Sequence, residues 1–194
     1  MEEKDYLDYL SLPAKLYEKI EADVTDLLFQ LNIQRYPVDP EEIALALGYE
    51  LIPFSQMPKD AKRMLFFRDV DAINYYDPKK KKFVIYYRPD GFKERFRFTI
   101  GHEIGHIRMG HKGESELARR IADYYSAYLL APTPWIGNAG CDDFKDVATE
   151  FYLSEPCAVR CFDRYVRWRR IPYTKDYEKI LLGLINSRST LVDV

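Results

Sequence analysis

Apolar side chains recur three and four positions apart through residues 13–31, PAKLYEKIEADVTDLLFQL, and this spacing predicts an amphipathic helix whose first turn accommodates Pro13. A second, shorter helix follows in YPVDPEEIALALGYEL. Asp39 is suited to cap it, Pro40 to stand at its first position, Glu41 and Glu42 to meet its positive end, and Gly48 to terminate it. The period then changes. YELIPFS reads as a strand, and RMLFFRDVDAINYYD and KKFVIYYRP, rich in β-branched and aromatic residues, flank the turn signal DPKKK, which predicts a hairpin over 64–88. Helical spacing returns in 91–110 and again in ESELARRIADYYSAYLLAP, where Pro132 and Pro134 predict a stop. Beyond the loop GNAGCDD, residues 144–170 read as two short helices joined at YLSEP, and YTKDYEKILLGLI as a last helix. Helices, then strands, then helices predict an α+β fold, divided as a core over 1–135 and a C-terminal helical region over 136–194 packed on it.

Composition narrows the function classes. Lys plus Arg is 29 against 31 Asp plus Glu in 194 residues, so net charge gives no reason to expect a nucleic acid or an acidic substrate. The run Lys79–Lys82 reads as a solvated hairpin tip. Three cysteines, Cys141, Cys157 and Cys161, do not make a disulfide framework and are expected to be buried thiols. The acidic start MEEKDYLDYLSLP lacks the apolar core of a signal peptide, and no apolar run approaches membrane-spanning length. The expectation is a cytoplasmic protein with no membrane partner.

The chain has three histidines, His102, His106 and His111, all within GHEIGHIRMGH. His102, Glu103 and His106 form H-E-x-x-H. On a helix, positions i and i+4 share a face one turn apart, so two imidazoles can reach one Zn²⁺. Glu103, next to the first of them, is placed to act as the general base of a zinc hydrolase. Gly101 and Gly105 each carry a helix cost of about 1 kcal/mol, which points to a need for close packing or access. His111 does not complete the longer metzincin pattern. Gly110 comes one position late for it and His111 one position early, so His111 reads as a helix-end or surface residue. A third ligand is then expected from the next helix, where Glu114, Glu116 and Asp123 are the candidates. Asp123 lies deepest in the apolar stretch and is the expected ligand, Glu116 the second choice. The other role open to Asp123 is to orient a ligand imidazole.

Four segments together, YPVDPEEIALALGYEL, RFRFTIGHEIGHIRMGH, ADYYSAYLLAP and FKDVATEFYLSEPCAVRCFDRY, resemble the ImmA/IrrE family of metallopeptidases over roughly residues 15–170. The resemblance implies a zincin-like core with a small sheet, an active-site helix and C-terminal helices. It also implies regulated cleavage of a DNA-binding, helix-turn-helix repressor, an activity associated with phages and other mobile genetic elements. One position departs from the pattern: the glutamate that the family typically carries on the second helix corresponds here to Arg119, which cannot ligate zinc. An inactive or weakly active antirepressor or sensor with the same fold is the alternative. VATEFYLSEPCAVRCF, followed by Arg164, Arg167, Arg169 and Arg170, has the look of a helix-turn-helix. In a chain without basic excess, those arginines read as a solvated or protein-docking face, and no direct nucleic-acid binding is expected.

Overall fold

The computed structural model describes residues 12–58, 70–89, 91–113 and 115–186. The expected first part of the hairpin, before residue 70, and the candidate ligand Glu114 lie outside them. The described elements are α1 (Ala14–Gln30), α2 (Pro40–Ala46), β1 (Glu50–Pro53), β2 (Ala72–Asp77), β3 (Lys82–Tyr87), α3 (Lys93–Arg108), α4 (Glu116–Leu130), α5 (Thr133–Asn138), α6 (Phe144–Phe151), α7 (Glu155–Trp168) and α8 (Asp176–Asn186). The architecture is α+β, as expected. No described helix is long and apolar enough to cross a membrane.

Local signals act where the sequence places them. The Asp39 carboxylate accepts from the Glu41 amide at 2.9 Å, Pro40 opens α2, and Gly48 leaves it at φ +77°, a conformation that costs glycine least. Asp143 and Asp146 form a reciprocal capping box on α6. Tyr152 then takes a left-handed conformation that separates α6 from α7 at YLSEP. Pro132 and Pro134 end α4 but also begin a further helix, α5. A proline in a first turn forfeits only an amide that has no intrahelical partner.

The three strands lie in the order β1-β3-β2, with β2 antiparallel and β1 parallel to β3. Alternation on β3 serves two faces. Ile85 joins the main core with Ala72 of β2, whereas Val84 and Tyr86 pack on the other face with Met57. The main core is continuous from end to end of the fold. It runs from Ile20, Val24 and Leu27 of α1 through Ile100 and Ile104 of α3 and Tyr125 and Leu129 of α4. It continues through Trp135 to Phe151, Cys161 and Leu181. All three cysteines are buried free thiols.

Two arginines hold helix ends. Arg164 differs from the expected exposed face: it is half-buried, donates to Ala131 O at 2.7 Å and Thr133 Oγ1 at 2.8 Å, and lies over the Tyr124 and Tyr128 rings. The C-terminal carbonyls of α4 need such donors. Arg97, on α3, donates to Val38 O at 2.6 Å, to Phe151 O at 3.0 Å and to Tyr152 O. One side chain thereby ties the motif helix to the entry of α2 and the end of α6. Arg97→Met should leave three carbonyls without this donor and destabilise the protein by about 2–4 kcal/mol, measured as a lower urea midpoint at unchanged m-value.

Candidate metal centre

Helices α3 and α4 form an antiparallel hairpin whose spacing is set by two glycines. A Cβ on Gly101 would meet Ser126 Oγ at 2.6 Å, and one on Gly105 would meet Tyr125 Cβ at 2.9 Å and Cγ at 3.0 Å. The Ser126 hydroxyl donates to Phe98 O at 2.7 Å, closing the same contact from the other side. The glycines marked out in the sequence therefore serve backbone approach.

That approach brings His102 against α4. Its Nδ1 lies 2.8 Å from Asp123 Oδ1, and its Nε2 lies 3.0 Å from Nε2 of His106. His106 Nδ1 in turn lies 3.0 Å from Nδ1 of His111. One set of tautomers satisfies the whole row: His111 donates to His106, His106 to His102, and His102 to Asp123. If His106 instead carries its proton on Nδ1 and donates to His111, two Nε2 lone pairs face one another, an arrangement that calls for a cation. Two zinc–nitrogen bonds of about 2.0–2.1 Å at a tetrahedral angle separate their nitrogens by roughly 3.3 Å, close to the gap present. Burial first, then the neighbouring His102 and His111 rings and Arg119, push His106 down to about 4, with Asp123 opposing, so the ring is neutral at pH 7 and has a lone pair to offer. His111 is also lowered, by burial and then by His102 and Lys19.

Glu103 is buried beside the pair, and one of its oxygens accepts from Asn74 Nδ2 of β2 at 2.6 Å. Sequence reading did not single out Asn74. Its signal is an amide within the apolar and aromatic stretch Ala72–Tyr76 of the strand, and its partner lies 29 residues away. A cavity of about 810 Å³ opens here, with Asn74 and Tyr76 of β2, Glu103 and His106 of α3, and His111 and Lys112 of the following loop in its walls. Among the described residues β2 pairs with β3 alone, and its Asn74 and Tyr76 line the cavity. A second cavity, of about 470 Å³, lies between α1, α7 and the start of α8, away from the histidines.

The site residues expected from sequence thus come together in part. His102 and His106 turn their Nε2 atoms toward each other, with Glu103 beside them. Asp123 does not join the facing nitrogens. Its carboxylate lies against the Nδ1 edge of the His102 ring, where the helix register sets residue 123. His111 is half-buried and braces His106. Glu116 is exposed in the first turn of α4. Among the described residues no group of three His, Cys, Asp or Glu side chains is gathered as a metal cage. The two nitrogens stand near the spacing that a shared zinc would impose, and among the described residues no third protein donor joins them. No protein-family model matches the chain, and no curated protein matches it either.

Two substitutions probe this arrangement. Gly105→Ala gains up to about 1 kcal/mol of helix propensity, but its methyl group meets the Tyr125 Cβ and ring at contact distances that force the helices apart, a cost of about 1–3 kcal/mol. The expected net result is a lower melting temperature and weaker zinc binding. Asp123→Ala should weaken zinc binding about 10–100-fold, and Asp123→Asn, whose amide oxygen can still accept from Nδ1, by clearly less. Equal losses in the two variants, read by chelator competition, would count against the orienting role.

Proposed function

We propose that the chain is a zinc-dependent peptidase of the ImmA/IrrE type, with a zincin-like core. On this reading it acts in the cytoplasm on a regulatory protein such as a helix-turn-helix repressor. One observation carries the reading: two imidazole Nε2 atoms face each other at 3.0 Å on one face of α3, with a buried carboxylate beside them. The substrate class is drawn from the sequence resemblance.

His102 and His106 would hold the zinc. When bound, it supplies Lewis-acid polarisation of a peptide carbonyl and makes water more acidic. The remaining work falls to the chain. Glu103 takes the proton of the attacking water and returns it to the leaving amine. Asn74, by donating to one oxygen of Glu103, fixes the plane of that carboxylate. Asp123 and His111 set the orientation of the two rings from behind. The cavity lined by Asn74, Glu103 and His106 gives a polypeptide access to these residues.

The second reading is an antirepressor or sensor that binds its partner with little or no cleavage. It is favoured by the lack, among the described residues, of a third donor at the facing nitrogens.

Wild-type protein should hold about one zinc per chain, and the His102→Ala, His106→Ala double variant essentially none. Glu103→Gln should keep fold and metal and lose cleavage of the repressor by about 10²–10⁴-fold. Zinc retained by the double variant would reject the site. If neither wild type nor Glu103→Gln cleaves a repressor that both bind, the partner-binding reading stands.

A further inference from the structure

The cavity of about 470 Å³ opens between the faces of two helices. Ala14, Tyr17 and Glu21 share one face of α1, and Arg164, Arg167 and Trp168 share one face of α7. Tyr124 of α4 and the start of α8 close the space. The side chains of its wall are held from behind. The hydroxyls of Tyr124 and Tyr177 both donate to Glu21, the second at 2.6 Å. The Trp168 indole donates to one oxygen of Glu178 at 2.8 Å, and the Lys175 amide donates to the other at 2.7 Å. Arg164 lies over the Tyr124 ring and is fixed there by Thr133 Oγ1 and Ala131 O. Side chains so tied do not fall inward to fill the space. A preformed cavity of this volume lies in the range that small organic molecules occupy.

Rings supply apolar surface to it. Tyr17 and Tyr124 meet edge to face with centroids 4.6 Å apart, and Trp168 stands in the same wall. Charge then decides which aromatic molecule suits the space. Inside, the carboxylates of Glu21 and Glu178 are matched in number by the guanidinium groups of Arg160 and Arg164. Toward the mouth, Glu18 pairs with Lys175 at 3.1 Å. Arg167 is left over. It is exposed at the mouth, and among the described residues no carboxylate pairs with it.

We propose that this cavity binds a small aromatic anion, a planar ring system bearing one carboxylate or sulfonate. The ring lies among Tyr17, Tyr124 and Trp168. The acidic group stays at the mouth on the Arg167 guanidinium, whose planar fork matches it. A cation of the same shape would set its charge beside Arg167, and a neutral molecule would forgo that contact. The site lies away from His102 and His106, so the proposal stands whether or not those residues hold zinc.

The test compares two fluorescent probes that share one ring system, anilinonaphthalene sulfonate and its uncharged counterpart phenylnaphthylamine. Wild-type protein should bind the sulfonate saturably at a single site, and the uncharged probe about three- to tenfold more weakly. Arg167→Gln, an exposed substitution, should weaken the sulfonate by that same factor and leave the uncharged probe unchanged. Ala14→Phe, which sets a ring in the mouth, should weaken both probes while the circular dichroism spectrum stays that of the wild type. If Ala14→Phe does not fold, Arg167→Gln decides alone. Equal binding of the two probes by wild type overturns the anion assignment. Sulfonate binding that neither variant changes places the probe elsewhere and overturns the site, as does the lack of any saturable binding.

Discussion

The distance between α3 and α4 is the constraint on which the rest of the site depends. Two glycine positions have no room for a methyl group, and Tyr125 and Ser126 fill the space each leaves. With the backbones this close, a side chain as short as aspartate reaches from one helix to the ring on the other. A wider crossing would require a longer acid, and the His102–Asp123 contact at 2.8 Å would be lost. The helical cost of two glycines is thus offset by packing that a bulkier pair could not provide.

Around that crossing the polar groups form a row rather than a cage. His102 and His106 each have one nitrogen engaged from behind and one turned to the other. In the absence of a cation the row satisfies itself by donation along its length, so burial of His106 leaves no stranded donor. Shifting the His106 proton to its other nitrogen changes the pair from a hydrogen-bonded one into a bidentate donor. The same side chains accommodate both states, and the difference between them is the tautomer of His106 and, with it, that of His111.

Features that depend on neighbours in sequence were legible before any coordinates. Asp39 and Gly48 bracket α2 because capping is a contact over two or three residues. The H-E-x-x-H spacing forecast a shared helix face for His102 and His106, and the glycines among them forecast close packing. What the chain conceals is distance. The parallel pairing of β1 with β3 joins residues more than thirty positions apart by way of a crossover, and no local pattern encodes it. Asn74 meets Glu103 only because β2 lies along α3. The place of Asp123 at the Nδ1 edge of His102 follows from a helix register that composition cannot specify. Arg164 looked like a solvent-facing charge because its acceptors, Ala131 O and Thr133 Oγ1, lie on another element of the fold.

Arg97 shows how far the centre reaches into the molecule. It lies five residues before His102 on the same helix and spends its donors on Val38, Phe151 and Tyr152. The end of α6, more than forty residues beyond the motif in sequence, is thereby fastened to the helix that carries it. A shortened chain ending near residue 135 would lose those acceptors on α6, and it would also uncover Trp135, whose indole donates to Leu181 O at 2.8 Å. Such a fragment would keep every histidine yet lack one of the anchors of their helix. The C-terminal helices thus brace the helix that carries the histidines.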